Sequence, residues 1–368
     1  MIPQCGDAIA VQVRRSGEMK SDPPESGTPA PHRRRVRYSG KNPRGFADKY
    51  KERDPAKFPE VFEKVLAAGK TPAGTHRPIM VEEMLEALAP KPGEIAVDCT
   101  LGHGGHAERL LQRISPGGHL LGLDADPIEL PKTEERLRSL GHDASIFTAH
   151  RTNFASLARV LAGAQLGGAD LILADLGVSS MQLDNPARGF SLKASGPLDM
   201  RLNPNRGPSA AEWLESAKAE SLARVLTENA DEIRSEELAA LLAGQRFETT
   251  AQLAATIRAA LLRLDDEERE LSVRRVFQAI RVEVNDEFGA LETFLRNLPN
   301  CLAPDGRVAI LTFHSGEDRR VKKAFAECHR AGIFCAIAPE VIRASPEERR
   351  ANPRSTPAKL RWARRSPN

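Results

Sequence analysis

The feature that most constrains the fold is a regular alternation of short apolar runs with amphipathic stretches. Strand-like runs at residues 95–98, 120–124, 145–149, 171–175 and 308–313 are separated by helical patterns near 106–114, 127–140, 154–161 and 316–329. Strands that alternate with helices return through crossovers rather than hairpins, and the outcome is a parallel sheet covered on both faces. The expected class is α/β, a doubly wound, mostly parallel, Rossmann-like sheet. Ahead of it, Ile79, Met80, Met84, Leu85 and Leu88 recur at helical spacing and stop at Pro90 and Pro92, which marks one more helix.

The alternation breaks between Gly177 and Arg275. A long loop there leads into helical patterns near 210–217, 221–226, 235–242 and 250–262. Residues 1–45 are rich in Pro, Gly, Ser and Arg without a hydrophobic period, so they read as disordered, with a short helix near 55–66 and a turn at 71–74. The expected organisation is a basic, largely disordered N-terminal extension (1–75), a sheet domain (76–205 and 276–368) and an inserted all-helical domain (206–275).

Lys and Arg number 53 against 50 Asp and Glu, a net charge of +3 that excludes histone-like and acidic-tail classes. The distribution is uneven. Residues 1–53 hold 12 basic against 6 acidic side chains, residues 342–368 hold 8 against 2, and residues 205–280 hold 10 against 14. Basic ends suit a polyanionic partner, and on charge alone they suit solvated tails equally. Five cysteines without a C-x-x-C pair indicate neither a disulfide framework nor a zinc knuckle, hence a reducing compartment. No apolar run reaches the eighteen or so residues of a membrane span, and a cytoplasmic protein is expected.

Val97-Asp98-Cys99-Thr100-Leu101-Gly102-His103-Gly104-Gly105-His106-Ala107 sets glycines between a strand end and a helix start, where a ligand needs close backbone approach. Twenty residues after Gly104, Asp124 ends the second strand, where a carboxylate can accept both hydroxyls of a ribose. A nucleoside cofactor over the carboxyl edge is implied. Gly102-x-Gly104-x-x-Ala107 also satisfies the dinucleotide fingerprint, so NAD and S-adenosylmethionine (SAM) both remain open on this pattern. His103 and His106 lack a third and fourth ligand, and no metal is expected.

The fourth strand ends at Asp175 and runs into a long loop through Gly177, Ser179, Gln182, Arg188, Gly189, Phe190 and Gly196 to Arg201, too long for a plain connection. From here the sequence resembles the bacterial 16S rRNA cytosine N(4)-methyltransferase family. The resemblance runs from His76 to about Arg365. It rests on residues 76–83, 98–106, 124–127, 153–154, 175–182, 189–190, 196–201, 277–287 and 313–319, with Asn352-Pro353-Arg354 and Lys359-Leu360-Arg361. It implies a class I SAM-dependent methyltransferase fold, SAM as cofactor, and Gly104, Gly105, His106, Asp124, Phe154, Asp175 and Gln182 as cofactor-binding positions. The implied substrate is the exocyclic amino nitrogen of cytosine 1402, in 16S rRNA of the small ribosomal subunit. Members ordinarily begin near His76, have Ser where this chain has Ala107, and have Leu where it has Gly316.

Catalytic candidates are Asp175, Asn285 and His314. Phe277, Ile280, Val284 and Phe288 form an apolar stripe on one expected helix, 275–291, whose polar flank carries Gln278, Arg281 and Asn285. Glu317 and Asp318, after the last parallel strand, fit either the catalytic edge or simple complementarity to a helix dipole. Phosphate contacts are expected from Arg33, Arg34, Arg35, Arg37, Arg319, Arg320, Lys322, Lys323 and the basic residues of 361–365. The competing readings are an NAD-linked oxidoreductase and a non-catalytic SAM-binding ribosome assembly factor.

Overall fold

The computed structural model describes residue 60 and residues 78–367, except 180, 181, 184 and 193. The expected disorder at 1–45, the 55–66 helix apart from Glu60, the 71–74 turn, residues 33–37 and His76-Arg77 lie outside the described residues. The others belong to one compact unit within residues 43–368.

Eight strands form one sheet: β1 (Ile95–Asp98), β2 (His119–Asp124), β3 (Phe147–Arg151), β4 (Ala169–Asp175), β5 (Leu302–Thr312), β6 (Phe334–Ile337), β7 (Ile342–Arg343) and β8 (Lys359–Arg365). The order is β3-β2-β1-β4-β5-β8-β6, with β7 also on β8. The first five strands run parallel, and β8 is antiparallel to β5, β6 and β7. The sheet is thus doubly wound and mostly parallel, as the alternation predicts.

Alternate side chains of each strand serve opposite faces. Leu171, Leu173, Ala309 and Leu311 meet Met84 and Leu88 of α1 (Val81–Leu88) and Leu110, Leu111 and Ile114 of α2 (Gly105–Ile114), with Leu137 of α3 (Leu130–Ser139). Ile172, Ala174, Val308 and Ile310 meet Leu157 and Leu161 of α4 (Leu157–Gly163) on the other face.

A third core belongs to the helical insertion: α5 (Ala210–Ser216), α6 (Ala219–Ala230), α7 (Ser235–Leu242), α8 (Thr250–Ala260) and α9 (Asp266–Val284). Leu214, Leu226, Leu238 and Leu253 pack there with Phe190, Leu198 and Met200 of the loop after β4. One expectation is corrected. The helix drawn over 275–291 is two helices, α9 and α10 (Glu287–Cys301), because Asp286 takes a left-handed conformation with φ 48°. The 275/276 domain boundary falls inside α9, whose Val273 and Ile280, on either side of it, enter the same insertion core.

Candidate active site

Strand order reverses between β1 and β4, the place where open α/β sheets hold ligands at their carboxyl ends. Asp98, Asp124 and Asp175 stand at the tips of β1, β2 and β4. The crevice between them is therefore acidic by construction.

The turn after β1 is braced from three sides. Gly102 N–H donates to Asp124 Oδ2 at 2.8 Å, Thr133 Oγ1 donates to Gly102 O at 2.6 Å, and Arg136 Nη2 donates to His103 O at 2.6 Å. Gly104 sits at φ 73°, and a Cβ there would lie 2.9 Å from Arg136 Nη2 and 3.0 Å from Thr133 Cγ2. Both conformation and space require glycine. Gly105 opens α2 against Pro78, whose Cγ would be 2.4 Å from an added Cβ. Asp124 Oδ1 accepts the Asp126 N–H at 2.8 Å, so each of its oxygens spends one lone pair on backbone and keeps another for a hydroxyl. Burial pushes the Asp124 carboxyl up, against those backbone N–H bonds.

His106 is 6% exposed and its Nε2 lies 2.9 Å from the Ile79 carbonyl oxygen, which can only accept, so Nε2 carries the proton. Burial lowers its pKa against the pull of Asp98. The remaining lone pair on Nδ1 is 3.6 Å from Asp175 Oδ2. Asp175 Oδ1 is buried and makes no hydrogen bond among the described residues. Desolvation, then the charge of Glu317, push the Asp175 carboxyl up to about 7, and desolvation raises Asp98 to about 6.

Glu317 itself is 4% exposed yet held below the usual range, because His314, the Phe313 N–H at 2.8 Å and Arg281 outweigh its burial. His314 caps α11 (Ser315–Arg330), with Nε2 3.3 Å from Glu317 Oε1 and its ring 5.7 Å from that of Phe288.

The other sequence candidates take supporting places. Phe154 opens a 3-10 turn capped by Asn153 and meets Phe294 edge-on at 5.6 Å. Gln182 donates to Asp126 Oδ2 at 2.9 Å and accepts from the Ser179 N–H at 2.8 Å. Asn285 accepts from the Leu202 N–H at 2.7 Å and donates to the carbonyls of Met200 and Arg281, both at 2.8 Å. Beside it, Phe190, Met200, Phe277, Gln278 and Arg281 line a cavity of about 150 Å³. Sequence reasoning missed the part played by Asp126, which is 1% exposed and accepts from Arg188 Nη1 at 2.8 Å. Its signal was present: an Asp directly before Pro127, at a helix start, bonds the N–H groups of Ile128 and Glu129.

Gly316 has a local cause. A Cβ there would fall 2.5 Å from Phe288 Cζ, on a ring that Arg320 covers at 3.5 Å. Among the described residues no group of three or more His, Cys, Asp or Glu is placed to hold a metal ion. The glycine pattern fits either cofactor, and the NAD-linked reading falls to the match of residues 73–366 with a methylase family.

Residues 73–366 match the MraW methylase family. Ribosomal RNA small subunit methyltransferase H 1 of Lachnoclostridium phytofermentans is 47% identical over 354 residues, covering 94% of this chain and 96% of its own length. Methyltransferase H 2 of Alkaliphilus metalliredigens is 48% identical over 90% of this chain and 97% of its own, and methyltransferase H of Symbiobacterium thermophilum 41% over 78% and 95%. The family model begins at residue 73, as expected from the start near His76, while the alignments with the first two relatives, at 94% and 90% of this chain, also take in part of residues 1–75. With a match over most of its length and relatives this similar, the chain belongs to the MraW methylase family.

Proposed function

We propose that the protein methylates the exocyclic N4 amino group of cytosine 1402 in 16S rRNA of the small ribosomal subunit, with SAM as donor, in the cytoplasm. The observation that carries the reading is that the whole acidic crevice, from Gly102 to Glu317, lies inside the span matching the methylase family. Among the described residues no helix is long and apolar enough to cross a membrane.

When bound, SAM supplies an electrophilic methyl group. Asp124 is suited to hold the ribose hydroxyls, and the Gly104-Gly105 turn, fixed against Arg136, Thr133 and Pro78, supplies the backbone beside which the adenosyl moiety would lie. Phe154, Asp175, Gln182 and His106 complete the proposed cofactor set, Gln182 by keeping the loop after β4 fixed to Asp126. The cytosine amino nitrogen is a poor nucleophile because its lone pair is delocalised into the ring. Catalysis then needs in-line placement without water and an acceptor for the departing proton. Of the three candidates, Asp175 best suits that acceptor, since the Asn285 amide is spent on Met200, Leu202 and Arg281 and His314 faces Glu317. The target base must be unstacked, and the cavity lined by Phe190, Met200, Phe277, Gln278 and Arg281 is the proposed place for it.

The test is methyl transfer to small subunits purified from a strain lacking the enzyme, with mass spectrometry of the RNA. One methyl group appearing at cytosine 1402 is the expected result. Cytosine 1402 methylated without the protein, or a methyl group delivered elsewhere, overturns the assignment.

A further inference from the structure

Four acids meet at the carboxyl edge, and their environments separate them. Glu317 accepts the Phe313 N–H, faces His314 and is near the Arg281 guanidinium, itself bidentate to Glu287 at 2.8 and 2.9 Å, so it stays ionised. Asp124 binds two backbone N–H groups. Asp98 accepts the Thr100 N–H at 3.1 Å. Asp175 has no such donor on its carboxylate: Oδ2 faces the lone pair of His106 Nδ1, and Oδ1 is buried and unbonded among the described residues. A carboxylate facing a lone pair, with Asp98 and Glu317 nearby, is disfavoured relative to the neutral acid. The strap carrying Ile79 is fixed in turn, since the Met80 N–H donates to Glu348 Oε1 at 2.9 Å. The groups bearing on Asp175 are thus Asp98 of β1, His106 of α2 and Glu317 of α11, with Asp124 beyond Asp98, and Arg281 and Glu348 acting through Glu317 and His106.

The crevice therefore responds to the charge of whatever occupies it. SAM carries one more positive charge than its demethylated product, S-adenosylhomocysteine. We infer that Asp175 follows that difference: it gives up a proton when SAM binds and takes one back when methyl transfer neutralises the sulfonium. In the transfer the N4–C bond forms as the C–S bond breaks, and the proton lost by the amino nitrogen goes to Asp175, whose basicity is then restored. His106 is a positioning residue here, presenting an unprotonated Nδ1 that destabilises the carboxylate. This inference rests on the SAM reading of the crevice.

Calorimetry tests it without turnover. SAM and S-adenosylhomocysteine are titrated into the full-length protein in buffers of different ionisation enthalpy, from pH 6 to 8.5. With Asp175 titrating near 7, SAM should release about half a proton at pH 7 more than the product does, and the difference should vanish by about pH 8.5. Asp175→Asn should abolish the difference at pH 7, leaving only a release centred lower that belongs to Asp98. His106→Gln should move the midpoint to lower pH. Equal proton release by the two ligands in the wild-type protein across this range overturns the inference, whatever the variants do. Unchanged release in Asp175→Asn overturns it as well. Failure of SAM to bind at all overturns the cofactor reading, and the inference with it.

Discussion

Arg188 Nη1 donates to Asp126 Oδ2 at 2.8 Å, and this pair fastens the long loop after β4 to the turn after β2. Gln182 Nε2 reaches the same oxygen at 2.9 Å, and Arg188 Nη2 also donates to the carbonyl of Leu202 at 2.8 Å. Burial alone would raise the Asp126 carboxyl, but the bonds from Arg188 and Gln182 hold it below the ordinary carboxylate range. Removing one partner of a buried pair strands the other charge, so Arg188→Ala should lower the stability by about 3–5 kcal/mol in urea denaturation. A loss below about 1 kcal/mol would mean that the loop is held elsewhere.

Asp124 serves the turn and the proposed ribose together. Asp124→Ala strands the N–H groups of Gly102 and Asp126 and removes two hydroxyl acceptors. With hydrogen bonds to a charged group contributing about 1.5–3 kcal/mol each, SAM affinity should fall at least about tenfold by calorimetry. Gly104→Ala should weaken binding through geometry instead, since a side chain at φ 73° costs about 1–3 kcal/mol and crowds Arg136. Wild-type affinity in both variants would displace the cofactor from this turn.

The raised acids give the ligand-free protein an unusual pH response. Asp98 and Asp175 have folded pKa values of about 6 and about 7, above the unfolded value of 3.8. Between the unfolded and folded values the native state binds more protons than the unfolded chain, so stability falls as pH rises. Their contribution is complete below about pH 4 and is lost as pH rises through about 6 for Asp98 and about 7 for Asp175. The carboxyls depressed by ion pairs, Asp126, Asp318 and Glu317, act oppositely and destabilise only as pH drops below the ordinary carboxylate range. His106, His142 and His150, whose pKa values burial lowers from 6.5, act oppositely as pH rises to about 6.5, so the melting temperature of the ligand-free protein should decline above that, from about pH 6.5 to 8, and Asp175→Asn should flatten the decline. A melting temperature that climbs over this interval, in a buffer of constant ionic strength, contradicts the assignment.

What was legible in the sequence follows from how local each signal is. Four of the five parallel strands are apolar runs with turn residues at both ends, and β1 matches its expected range of 95–98, whereas β3, FTAHR, is shifted two residues from the expected 145–149. The Gly102 to Gly105 turn and Asp124 declare themselves because their spacing is set by one strand-turn-helix-strand unit. The antiparallel end of the sheet was not readable. Strand β8, KLRWARR, has four basic residues in seven, and it becomes a sheet strand through distant acids: Asp318 takes Lys359 at 3.0 Å and Arg361 at 2.7 Å, and Asp305 takes Arg364 at 3.1 Å. The partners of Asn285 were not readable for a similar reason. Helical spacing runs through it, but its amide is drawn to Met200 and Leu202, more than eighty residues away, and the chain reverses at Asp286.

Those ion pairs also sort the basic residues expected to touch RNA. Arg361 is committed to Asp318, and Arg319 to Asp231 at 2.9 and 3.1 Å, whereas the exposed Lys322 and Lys323 join no ion pair among the described residues. A lysine that neutralises a phosphate releases a counterion, so removing one such lysine should lower the magnitude of the salt slope of RNA affinity by about 0.7–0.9. Lys322→Gln and Lys323→Gln are expected to weaken binding to small subunits in this salt-dependent way while leaving the melting temperature unchanged. Arg361→Ala should do the reverse, because Asp318 loses its 2.7 Å partner at the edge of β8 and the fold, rather than the RNA affinity, bears the cost. Filter binding at several salt concentrations, with thermal melts of the same variants, separates the two classes. An Arg361→Ala protein that keeps its melting temperature but has a shallower salt slope would return that residue to the RNA surface.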